Sequence, residues 1–71
     1  MKLHYNLELT VRGIGDRISL RFTATEWQAN KTFDGFRVAF HESMFQKVEL
    51  QVIGKKKGEE IPVTLKRVNW G

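Results

Sequence analysis

Cysteine is absent from the 71 residues of this chain, so neither a disulfide framework nor a thiolate metal site is open to it. Small extracellular domains more often carry such staples, and a chain without them is expected in the cytoplasm. Histidine is scarce: His4 and His41 stand far apart, and no group of carboxylates falls at calcium-loop spacing. Neither a zinc nor a calcium site is recognisable, and no metal or other cofactor is expected. Long hydrophobic runs are missing too. No stretch approaches the ~18 apolar residues that cross a bilayer. Glu8 and Arg12 interrupt the N-terminal apolar positions where a signal peptide keeps its core. No membrane association is expected.

Groups that move protons or attack electrophiles are equally few. His41-Glu42-Ser43 carries the side-chain types of a nucleophilic site. Adjacent strand residues point to opposite faces, however, and a triad is a spatial arrangement rather than a run of neighbours. Gly13-Ile14-Gly15 matches a fragment of a phosphate-binding fingerprint but lacks the third glycine and the following helix. A hairpin turn accounts for it. An enzyme is not expected; a binding role is.

What is present is a core and a positive charge. Hydrophobic residues make up 41% of the chain and are spread along all of it, too many for a disordered segment. The length fits one domain, residues 1–71, with no room for a second core. Domains this small have marginal cores, so a homodimer is a possible state. Twelve Lys and Arg against eight Asp and Glu leave a net charge of +4, with a pI near 9.8. Such a balance attracts polyanions, or merely keeps a protein soluble.

Period-two alternation dominates. Leu3, Tyr5, Leu7, Leu9 and Val11 share one parity, while Lys2, His4, Asn6, Glu8, Thr10 and Arg12 share the other, the mark of a strand with one buried face. Gly13 to Asp16 supplies a turn, and Ile18, Leu20, Phe22 and Ala24 resume the alternation, giving a hairpin. Thr25 to Thr32 breaks the period and reads as a helical turn or a loop around Trp27. Asp34-Gly35 signals a turn, and Phe36, Val38 and Phe40 alternate as a third strand. A helix over 34–48 competes with that strand, because Phe36, Phe40, Met44 and Val48 recur at four-residue spacing. Val48, Leu50 and Val52 form the next strand, Gly54 to Gly58 a polar tip, and Ile61, Val63 and Leu65 the last strand. Pro62 assigns that strand to an edge. Parity breaks after Leu65, which predicts a bulge. The fold expected is mainly β: a small antiparallel barrel or curled sheet of about five strands, with an α+β arrangement as the alternative.

On these parities Arg17, Arg21, Arg37, Lys47 and Lys66 fall on wet faces, and Lys55, Lys56 and Lys57 form the tip. Together they would make a basic patch able to track a phosphate backbone. Four aromatics leave the core pattern: Trp27, Phe33, Phe45 and Trp70. Exposed beside the patch they would stack on bases, whereas buried they would plug the ends of the fold. Nucleic acid, DNA or RNA, is therefore the first expected partner. The second is a protein, docked on an exposed strand edge (the Pro62 strand or the N-terminal strand) with Trp and Arg anchors. Glu8, Glu26, Glu42, Glu49, Glu59 and Glu60 dilute the basic field.

Overall fold

The computed structural model describes residues 1–39 and 44–70. The elements run β1 (Leu3–Val11), β2 (Arg17–Ala24), α1 (Glu26–Ala39), β3 (Phe45–Lys56) and β4 (Glu59–Asn69). All four strands form one antiparallel sheet in the order β2-β1-β3-β4.

The first hairpin forms as its alternation requires, with Leu7 opposite Leu20 and Leu9 opposite Ile18. Gly13 and Gly15 take φ of 87° and 81° in its loop, a region where only glycine is free of steric cost. β3 returns along the other side of β1 and sets Leu50 against Leu7 and Val48 against Leu9. Opposed residues share a face, so Tyr5, Leu7, Leu9, Val48 and Leu50 converge, and all five are fully buried. Burial of these side chains supplies about 1.5–3 kcal/mol each.

Residues 26–39 are helical, which overturns the third strand expected over Phe36 to Phe40 and the turn expected at Asp34-Gly35. Among the described residues four strands form rather than five. Phe40 itself, with His41, Glu42 and Ser43, lies outside the described residues. The α+β alternative is the architecture found, but its helix begins at Glu26 and ends before β3, not over 34–48. The start is fixed by a reciprocal cap: the Gln28 backbone N–H donates to Thr25 Oγ1 at 3.2 Å, and the Thr25 N–H donates to Gln28 Oε1 at 3.1 Å. Ala29 and Phe33 then lie one turn apart on the buried stripe, with Phe36 packed beside them. Gly35 sits within the helix, where its lack of a side chain costs roughly 1 kcal/mol against alanine. Packing of the apolar stripe outweighs it.

The expected bulge is present. Leu50 pairs with Lys66 but Gln51 pairs with Thr64, which leaves Leu65 as the extra residue of β4. The expected polar tip is shorter than Gly54 to Gly58, because β3 and β4 stay paired out to Lys56 and Glu59. Lys57 and Gly58, at φ of 54° and 82°, make a two-residue turn of the kind whose twist suits a tight hairpin. Among the described residues β2 and β4 do not pair, so the sheet is curled but not closed into a barrel.

Candidate functional site

Helix α1 covers one face of the sheet and leaves the other open. The register places His4, Asn6, Glu8 and Thr10 on the open face with Arg17, Ser19, Arg21 and Thr23 of β2. Lys47, Glu49, Gln51 and Lys55 of β3 join them, with Glu60, Thr64 and Arg67 of β4. A polar chain runs across its middle. Asn6 Nδ2 donates to Gln51 Oε1 at 3.0 Å, Gln51 Nε2 donates to Glu49 Oε2 at 3.3 Å, and Thr64 Oγ1 donates to the same oxygen. Lys47 Nζ stands 3.4 Å from Glu49 Oε1. Asn6 and Glu49 are only 7% and 6% exposed, so the long side chains around them act as their cover. Burial raises the Glu49 carboxyl, but the hydrogen bonds from Thr64, Gln51 and Lys47, with the charge of Lys47, outweigh it and hold the group below the ordinary carboxylate value. This carboxylate stays ionised and ties β3 to β4; it is not poised as an acid.

The cations expected to form one basic patch are divided between faces. Arg17, Arg21, Lys47 and Lys55 share the open face, but Arg17 lies 3.6 Å from Glu8 and Arg21 lies 3.0 Å from Glu60. Glu60 belongs to β4, so this second pair reaches across two intervening strands and reports the curl of the sheet. Lys66 is on the helix side, its ammonium 5.7 Å from the centre of the Phe33 ring. The bulge at Leu65 shifts its parity, so the wet-face assignment from period two is corrected. Lys56, opposite Glu59, shares that side of the ladder, and Lys57 occupies the turn. Arg37 is on the last turn of α1, not on a strand.

The aromatics separate too. Phe33 and Phe45 are core, and Trp70 packs partly buried against it. Trp27 is 69% exposed on the outer side of α1, where Lys31 Nζ lies 5.4 Å over its ring. Neither tryptophan shares the open face with Arg17 and Arg21. A cleft of about 390 Å³ lies where β1 and β2 meet the β3–β4 hairpin, lined by His4, Arg21, Thr23, Lys55 and Glu60 with Tyr5 and Phe22. Its Arg21 and Glu60 are engaged with each other, and His4 Nδ1 with Thr23 Oγ1 at 3.1 Å. Among the described residues no three His, Cys, Asp or Glu side chains converge as metal ligands.

The two sheet edges also differ. The N-terminal strand, expected at an edge, is central, flanked by β2 and β3. β4 is an edge, but Pro62 deprives it of one N–H and the Leu65 bulge breaks its line. A proline within a ladder turns its missing donor away from its partner strand, so the gap falls on the outer side. Charged residues stand at both its ends: Glu59 and Glu60 at one, Lys66 and Arg67 at the other. Prolines, bulges and charges are the devices that block further strand pairing. β2 has none of the first two. Its eight residues, Arg-Ile-Ser-Leu-Arg-Phe-Thr-Ala, contain neither proline nor glycine and pair with β1 in unbroken register. Ile18 and Leu20 remain 41% and 40% exposed on its helix side. No protein family, curated protein or solved structure matches this chain.

Proposed function

We propose that this protein is a non-enzymatic interaction module that accepts an extended segment of a protein partner along the outer edge of β2. The observation that carries the reading is the contrast between the edges: both carry half-exposed aliphatic side chains, Ile18 and Leu20 on β2 and Ile61, Val63 and Leu65 on β4, but β4 is broken by Pro62 and a bulge whereas β2 runs unbroken. An added strand would satisfy the outward N–H and C=O groups of β2 and cover Ile18 and Leu20 in the same step. Main-chain pairing gives such docking its affinity, and the side chains opposite Ile18 and Leu20 give it selectivity.

Nucleic acid is the competing ligand, because Arg17, Arg21, Lys47 and Lys55 share the open face. Three of these four cations already face a carboxylate, and the exposed tryptophan stands on the helix instead. A tryptophan that stands apart from these cations weakens a surface that must stack bases while it neutralises phosphates.

Amide hydrogen exchange and amide chemical shifts, followed while peptides or oligonucleotides are added to the whole chain, separate the readings. The expected result is protection of β2 amides by peptides with period-two apolar residues, and none by the same residues in scrambled order. Binding of an oligonucleotide that persists near physiological salt, with shifts at Arg17, Arg21, Lys47 and Lys55, would overturn the proposal. So would indifference of the β2 amides to every peptide.

A further inference from the structure

We infer that the segment accepted by β2 is a foreign strand that alternates apolar and acidic side chains, its two acids four residues apart. The inference rests on strand addition at β2 and specifies the chemistry of what is added. Residues directly opposed across a strand pair share a face, and opposite charges there attract. On the helix side a new strand meets Ile18, Leu20 and Phe22; on the open side it meets Arg17, Ser19, Arg21 and Thr23. The arginine side chains are 70% and 56% exposed. Arg21 contacts Glu60 through Nη1 and Arg17 stands 3.6 Å from Glu8 through the same atom; a guanidinium offers five N–H donors, so each arginine keeps donors for a second carboxylate. The complementary segment therefore reads acid, apolar, polar, apolar, acid, in either strand direction.

A second copy that pairs its own β2 with this β2 does not fit that requirement. The strand holds two arginines and no Asp or Glu, so pairing two copies of it would crowd four cations onto one side with no incoming acid. The net charge of +4 adds to that repulsion and favours a partner of opposite sign.

The test uses the unaltered protein and three synthetic peptides of equal length, each with valine at every second position. At the two positions facing Arg17 and Arg21 they carry glutamate, glutamine or lysine. Fluorescence anisotropy gives the affinities, and amide hydrogen exchange shows where each peptide sits. The glutamate peptide should bind tightest, by roughly three- to thirtyfold over glutamine, with lysine weakest. That advantage should shrink with added salt and disappear in the Arg17→Gln/Arg21→Gln variant. Equal affinity of all three peptides with protection confined to β2 would overturn the acidic preference while leaving strand addition standing. No protection of β2 by any of them would remove both. Protection of β2 that rises with protein concentration alone, with a dimer in sedimentation, would identify a second copy as the occupant and overturn the inference.

Discussion

Glu49 shows how one side chain is placed at a cost and then used. The carboxylate is nearly buried on a face that no described element covers, and three donors converge on it. Replacing it with alanine would leave Thr64, Gln51 and Lys47 without their acceptor, and a loss of about 1–3 kcal/mol is expected in urea denaturation. Because its folded pKa lies below the ordinary value, its contribution is present above the unfolded carboxylate pKa and is lost as pH falls through the folded one. The stability gap between the native chain and Glu49→Gln should therefore hold near neutrality and close in acid, below roughly pH 4. A gap that widens in acid would contradict the arrangement.

At the scale of the element, α1 is the part that strand periodicity concealed. Phe36, Val38 and Phe40 alternate as a strand would, and the Asp34-Gly35 pair looks like a turn. Two signals pointed the other way. Thr25-Glu26-Trp27-Gln28 has the spacing of a capping box, and Ala29, Phe33 and Phe36 follow it at helical intervals. The helix won because one continuous stripe can cover the apolar face of the sheet, whereas a fifth strand would have left that face in water. Thr25→Ala removes the cap and should lower stability by about 1 kcal/mol, with the helix amides losing protection first. Unchanged exchange there would show that the packing of Phe33 alone holds the helix end.

At the scale of the whole molecule, the described residues form one sheet with one helix, so a single set of buried residues carries the fold. Leu7, Leu50 and Val48 have no exposed surface at all. Leu50→Ala should cost about 2–5 kcal/mol, set against a total of roughly 4–11 kcal/mol for a domain of this size. Thermal denaturation of that variant should begin near room temperature or show no cooperative transition. A modest shift in midpoint would mean that the core relaxes into the space. An open four-stranded sheet must end twice, and here one end carries a proline and a bulge while the other carries neither.

The strands were legible in the sequence because period two buries one face, and nothing local competes with that signal in β1, β2 or in β3 beyond Val48. Pro62 and the parity break after Leu65 likewise announced an edge strand and its bulge from covalent chemistry and spacing alone. Which strand sits at the centre was not legible, since pairing order is decided by how the crossover helix returns the chain to β1. Nor was the fate of the basic residues. Faces are assigned only once register is set, and the one-residue shift at Leu65 sends Lys66 to the helix side, where no count of charges could have placed it.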